Sequence, residues 1–305
     1  MSKQKWFEEL SAVLPAHTVK LDEPLSLHTI TRMGGPADVF VSPDSQAQAI
    51  VVINYAAQYN IPLLLLGNGS NMVVRDGGVR GIVLQLTKLR EITITNTHVY
   101  AESGAAIIDV SKLAAKEGLT GLEFACGIPG TVGGAMVMNA GAYGGEIQDV
   151  IKQCTVVTPQ GELLVLKKED LDLGYRTSVI SKKGYFVLSA EFELSYGEQV
   201  HIDEKIADLT HQRTSKQPLE YPSAGSVFKR PPGYFAGKLI QDSELQGKGF
   251  GGAEVSTKHA GFIVNKDNAT ATDYIKTIQL VQSTVKEKFG VDLELEVKIV
   301  GEEVK

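Results

Sequence analysis

The chain has 305 residues, 43% of them hydrophobic and 22% charged, and a net charge of −6. This is ordinary globular composition, long enough for two or three packed units. It excludes several classes: an acidic chain without a basic block suits nucleic acid poorly, no run approaches the about 20 apolar residues of a membrane span, and six scattered histidines with Cys126 and Cys154 give no metal-ligand spacing. Acidic residues in M-S-K-Q-K-W-F-E-E-L stand where a signal peptide needs an apolar core. Two free thiols suit a reducing compartment, so a cytoplasmic location is expected.

Residues 4–14 read as a short amphipathic helix, with Trp6, Phe7, Leu10 and Leu14 on one side and Pro15 as its stop. A strand is predicted over 37–41. The cluster S42-P-D-S45 opens a helix to about Asn60, with Ala47, Ile50, Val51, Asn54 and Ala57 inward. The apolar run Pro62–Leu66 reads as a buried strand. Short strands follow at 79–86, 91–95, 98–102, 150–157, 162–166 and 186–194. A helix over 109–117, stopped by Gly118, interrupts them, and Gly161 marks a hairpin turn. After Tyr196-Gly197 the texture changes. Residues 202–217 read as a polar helix stopped by Pro218. Residues 272–289 are strongly amphipathic, with Tyr274, Ile278, Val281, Val285 and Phe289 inward, Asp273 in the first turn and Gly290 as the stop. An alternating strand closes the chain at 293–300. The pattern is α+β, with a domain boundary near residue 198.

Two Gly-rich words stand out. G67-N-G-S-N71 follows the run P-L-L-L-L, and its glycines let successive N–H groups turn toward an anion. A Rossmann loop needs a third Gly at position 72, which is Met, and no G-K-[ST] follows. Taken alone, this word reads equally well as a tight turn. The second, C126-G-I-P-G-T-V-G-G-A-M-V-M-N-A-G-A-Y143, sets its glycines among small and apolar residues. That favours close approach of a flat aromatic cofactor with water excluded, against backbone packing within a core. Three polar residues follow: Arg176 in L-G-Y-R-T-S, Ser226 in S-A-G-S-V-F-K-R-P and Glu296 in E-L-E-V-K-I-V-G. They read as a cation, a proton donor and a carboxylate around a substrate that gains negative charge. Singly, each also reads as an ion pair, a turn residue or the solvent face of a strand.

In G-N-G-S-N, G-I-P-G-T-V-G-G-A, G-Y-R-T-S, G-S-V-F-K-R-P and L-E-L-E-V, in that order, the chain closely resembles the UDP-N-acetylenolpyruvoylglucosamine reductase family over essentially its whole length. The resemblance implies an α+β protein. It has an FAD-binding fold of the vanillyl-alcohol-oxidase (PCMH) type in two subdomains, 1–80 with a returning strand in 291–305 and then 81–197, and a separate α+β substrate domain, 198–290. FAD, held without a covalent bond, would lie between the first two subdomains. Its contacts would come from Gly67, Asn68, Gly69, Ser70, Asn71, Gly127, Ile128, Pro129, Gly130, Thr131, Gly133, Gly134, Asn139 and Gly141. The short connection between Tyr185 and Ile202 resembles the family's shorter variant, which lacks the inserted Tyr that covers substrate.

The implied reaction reduces the enolpyruvyl ether of UDP-N-acetylglucosamine-enolpyruvate to UDP-N-acetylmuramate for peptidoglycan. NADPH reduces the flavin and leaves; hydride then passes to the substrate's β-carbon. Arg176 matches the cation at the substrate carboxylate, and Glu296 a carboxyl at the same place, protonated or bridged to a cation. Ser226 matches the proton donor to the α-carbon. The substrate diphosphate would draw on Arg213 and Lys216 in R213-T-S-K216, and on Lys229 and Arg230; Tyr175 would pack near flavin or substrate. No metal, nucleic acid or membrane partner is expected, and the chain is expected to act as a monomer. Two other readings are an alcohol or hydroxy-acid oxidase of the same fold, which needs a His or Tyr base, and a nucleotide sensor without catalysis.

Overall fold

The structure, a computed structural model, describes residues 2–304. The chain divides into two compact units. One takes in the chain up to Leu21, Val39–Asn68 and Gly81–Arg213; the other takes Asp22–Asp38, Gly69–Arg80 and everything from Thr214 on.

The first unit holds two cores. A four-stranded sheet is ordered Val19–Pro24, Pro36–Val41, Val79–Gln85, Leu63–Leu66. Its last pair is parallel, with Leu63 opposite Ile82 and Leu66 opposite Gln85. The helices Lys3–Val13 and Gln46–Tyr59 supply Leu10, Ala49, Val52, Ile53 and Ala56 to the same core as Val39, Val41, Ile82 and Leu84. Ser45 caps the second helix by accepting from Gln48 N, and Asn60 ends it in the left-handed region. The inward stripe predicted for this helix is corrected: Ala49, Val52, Ile53 and Ala56 are buried, while Val51 is 42% exposed and Ala47 and Asn54 face outward. Most residues from 47 to 57 are apolar or small, so the helical period fits more than one phase.

The other core of this unit lies on a five-stranded antiparallel sheet ordered Leu163–Lys167, Ile151–Val157, Phe186–Glu193, His98–Glu102, Ile92–Thr95. These strands fall within a residue or two of their predicted spans. The hairpin at Gly161 closes with Thr158 N donating to Glu162 O at 2.8 Å. The helix Ile107–Lys116 packs on this core, with Gly118 left-handed after its end. A short helix that the sequence did not announce, Val132–Val137, packs on the strand Phe186–Glu193. Its two glycines mask the helical period.

The second unit centres on an antiparallel sheet ordered Ser223–Ser226, Phe262–Asn265, Ala253–Val255, Gly249–Phe250. The helix Ala271–Phe289 covers it, capped by a reciprocal pair of Thr270 and Asp273 and stopped by left-handed Gly290. Tyr274, Ile278, Val281 and Val285 are buried as the pattern predicts, and the Tyr274 hydroxyl donates to Ile263 O at 3.1 Å. Phe289 is 40% exposed, because the helix ends at that residue. The closing strand is shorter than predicted: only Lys298–Val300 is strand, parallel to Met72–Val74. Before it, Leu295 makes an isolated antiparallel bridge to Phe228. The alternation at 293–300 therefore serves two neighbours in turn. Among the described residues, no helix is long and apolar enough to cross a membrane.

Candidate active site

In the first unit the two Gly-rich words meet. The strand Leu63–Leu66 delivers Gly67, whose carbonyl accepts from Gln85 Nε2 at 3.2 Å. A Cβ at Gly67 would stand 2.7 Å from Thr131 Oγ1, and Asn68 Nδ2 donates to Pro129 O at 2.6 Å. Thr131 caps Val132–Val137 by accepting from Gly134 N, and Gly130 O accepts from Ile107 N at 3.0 Å. Ile128 packs on the core, and Gly133 is pressed against Ser103. Gly134 differs: it is exposed, and a Cβ there would meet only Thr131 Oγ1, at 3.6 Å. The fold itself therefore leaves room for a side chain at this position.

The side chain of Arg213 lies along Gly127, with Cδ 2.5 Å from where a Cβ would be. Burial lowers its pKa, against the opposing pull of Tyr143 and Cys126. Burial in turn raises the Tyr143 hydroxyl, which the Arg213 charge partly offsets. Arg213 is therefore half-buried on the second Gly-rich word, whereas Lys216, one turn later, is exposed.

Gly141 and Gly174–Thr177 form the remaining part of this unit's site. Gly174 and Thr177 exchange backbone bonds of 3.1 and 3.2 Å, leaving Tyr175 and Arg176 as a two-residue tip. Arg176 has φ +55°, in the left-handed region. Its Nη1 donates to Gly141 O at 3.3 Å, and Cζ lies 5.6 Å from the centre of the Tyr175 ring, which is 60% exposed. Asn139 is 1% exposed, with its amide bonded to Gly174 O and Gln148 N.

The second unit brings Ser226, Glu296 and Asn71 together. Ser223 pairs with Val264 and Ser226 with Phe262, so the strand carries an extra residue between them. Gly225 absorbs this bulge with φ +73° and no atom within 4 Å of a Cβ. The bulge re-aims the next side chain, and Ser226 is exposed. Glu296 N donates to Val227 O at 2.8 Å, placing Glu296 beside the serine's strand. Asn71 Nδ2 donates to Glu296 O at 3.1 Å, and Lys298 N to Asn71 O at 3.1 Å, so the end of the first Gly-rich word is tied to the Glu296 segment. Ser70 is half-buried, and Gly69, with φ +66°, is packed against Thr29. Lys229 is paired with Glu294. Arg230 Cζ lies 4.0 Å from the centre of the Phe235 ring, and its Nε donates to Tyr234 O at 3.4 Å.

Two supporting residues were not singled out in the sequence. Gln85 holds Gly67, and its signal was a polar residue ending an apolar strand, V-R-G-I-V-L-Q. Ser178 donates to Val137 O at 2.6 Å and caps the helix that follows Arg176. Its signal was a Ser beside a candidate catalytic residue.

Comparison with known proteins matches residues 217–300 to the C-terminal domain of UDP-N-acetylenolpyruvoylglucosamine reductase and residues 37–167 to an FAD binding domain. The UDP-N-acetylenolpyruvoylglucosamine reductase of Geobacillus kaustophilus (strain HTA426) is 61% identical over 297 residues, covering 97% of this chain and 98% of that protein. The chain belongs to the UDP-N-acetylenolpyruvoylglucosamine reductase family. The reductase of Exiguobacterium sibiricum is 60% identical over 285 residues, 93% of this chain and 94% of that one. The crystal structure of the reductase from Thermus caldophilus superposes with a TM-score of 0.81 at 31% identity, covering 93% of this chain and 99% of that one. An alkyldihydroxyacetonephosphate synthase shares the fold alone, with a TM-score of 0.50 at 19% identity over 63% of this chain and 41% of its own. As expected from its motifs, this member of the reductase family has an α+β fold of the vanillyl-alcohol-oxidase type and is an FAD-dependent oxidoreductase. The residues present fit that cofactor: the Gly134 backbone is exposed, with only Thr131 Oγ1 near where a Cβ would stand, an open approach that a side chain would fill.

Proposed function

We propose that the protein reduces the enolpyruvyl ether of UDP-N-acetylglucosamine-enolpyruvate to UDP-N-acetylmuramate, using NADPH, in the supply of peptidoglycan precursors. Support comes above all from the Ser226 strand: an exposed hydroxyl set after a glycine bulge, with Glu296 bonded to the next residue. FAD, when bound, supplies two-electron chemistry, accepting hydride from NADPH and delivering it to carbon. The guanidinium of Arg176 offers a planar fork to the substrate carboxylate, where negative charge collects. Ser226 Oγ–H gives its proton to the α-carbon, a strong base once hydride has added to the β-carbon. Glu296 acts at the carboxylate end, protonated or against a cation, because an ionised carboxylate would repel the developing charge.

Lys216, Lys229, Arg230 and Arg213 serve the substrate diphosphate, and Tyr175 packs against flavin or substrate. The Gly-rich residues 67–71 and 127–134, with Gly141, serve a non-covalent FAD, whereas the buried Asn139 amide is bonded inside the fold to Gly174 O and Gln148 N. The same proposal treats 1–80 with 291–305, 81–197 and 198–290 as the functional parts of a cytoplasmic monomer. The test is anaerobic. NADPH should bleach the flavin, and the enolpyruvyl sugar nucleotide should restore its absorbance. A flavin that NADPH leaves oxidised overturns the nicotinamide assignment, and a reduced flavin that the sugar nucleotide leaves bleached overturns the substrate.

A further inference from the structure

We propose that Asn139 is a positioning residue for Arg176, fixing the turn that presents the guanidinium; this rests on the proposed role of Arg176 toward the substrate carboxylate. Asn139 is 1% exposed and sits at φ +44°, a left-handed conformation that asparagine tolerates better than most residues. Its Oδ1 accepts from Gln148 N at 2.9 Å, and its Nδ2 donates to Gly174 O at 3.2 Å. That carbonyl also accepts from Thr177 N, so it closes the tip carrying Tyr175 and Arg176. Two residues after Asn139, Gly141 O accepts from Arg176 Nη1 at 3.3 Å. One short segment therefore grips both the base of the turn and the charged head. The segment is itself anchored, by Ala140 N to Ala135 O at 2.9 Å and Ile147 N to Ala140 O at 3.0 Å.

The grip answers a specific need. Arg176 is left-handed at φ +55°, which an arginine does not adopt by preference, so the tip needs outside support to stay in place. A cation that stabilises developing charge must be aimed before the reaction, since small misplacement is costly. With both ends of its amide bonded inside the fold, Asn139 supplies that support.

The test uses the flavin-loaded protein. Asn139→Asp keeps the acceptor for Gln148 N and a side chain tolerant of the left-handed region, but puts an oxygen against Gly174 O. Asn139→Gly keeps the backbone freedom and deletes the amide. Both should retain bound flavin and its reduction by NADPH, while reoxidation by the enolpyruvyl sugar nucleotide slows about 10- to 100-fold. In the double variant Asn139→Gly, Arg176→Ala, reoxidation should be no slower than in Arg176→Ala alone, because one residue acts through the other. Hydrogen exchange at the Thr177 amide should accelerate in Asn139→Gly, a readout independent of turnover. Effects that multiply in the double variant, parental reoxidation in both single Asn139 variants, or flavin loss in both would overturn the proposal. If Arg176→Ala itself reoxidises at the parental rate, the role of Arg176 fails. The grip on the turn is then judged by Thr177 exchange, and unchanged exchange overturns it as well.

Discussion

The turn carrying Arg176 and the strand carrying Ser226 both leave regular backbone, but they put the distortion in different places. At the turn, Arg176 itself is left-handed, half-buried and gripped from residues 139–141. On the strand, Gly225 takes the positive φ and the bulge, which leaves Ser226 an ordinary exposed residue paired with Phe262. The difference suits the two proposed tasks. A cation that stabilises charge gains from being fixed in advance, so strain on the functional residue is worth keeping. A hydroxyl that gives up a proton must reach its carbon and then recover, and a neighbouring glycine can carry the distortion for it.

The largest expected effect tests the serine side of this contrast. Ser226→Ala should leave NADPH-dependent flavin reduction nearly intact and slow reoxidation by substrate about 10²–10⁴-fold, the usual contribution of a positioned proton donor. Ser226→Cys should retain more activity than Ala, because a thiol can still donate. Stopped-flow absorbance without oxygen reports each half-reaction. A variant slowed only in flavin reduction would remove Ser226 from the proton-donor role.

A smaller effect is expected one residue earlier. Gly225 has open space around it, so Gly225→Ala meets no clash and only the cost of a left-handed alanine, about 1–2 kcal/mol. The strand should relieve part of that cost by shifting the bulge, turning Ser226 away and slowing reoxidation about 10-fold. Parental reoxidation with lowered stability would show that the bulge serves the fold and not the aim of Ser226.

The sequence made some of this legible and hid the rest for identifiable reasons. The helix Ala271–Phe289 could be read because polar and apolar positions alternate sharply, with Asp273 and Gly290 as end signals. The helix Gln46–Tyr59 was recognised, but its buried face was not, because Ala, Ile and Val crowd most of its sides. The five family words named the cofactor and most of the candidate residues. They did not reveal that Glu296 bonds the residue after Ser226, since that pairing joins segments about 70 residues apart. Nor did they show that Asn139 spends its amide on the Arg176 turn: a buried strut and a ligand contact look alike as one letter in M-N-A-G-A-Y.

The smallest effect probes the strain directly, through stability instead of rate. Arg176→Gly and Arg176→Ala both delete the cation, so both should fail in substrate reoxidation. They differ in backbone. Alanine keeps a left-handed penalty of about 1–2 kcal/mol. Glycine escapes it but loses about 0.5–1 kcal/mol to the greater freedom of its unfolded chain. Glycine should therefore come out ahead by up to about 1.5 kcal/mol in urea denaturation at matched flavin loading. Arg176→Lys keeps the left-handed residue and the charge but loses the planar fork, so its stability should follow the parent while reoxidation slows. A glycine variant less stable than the alanine variant would mean that position 176 is not left-handed in solution. The contrast between a strained cation and a relaxed proton donor would then fall.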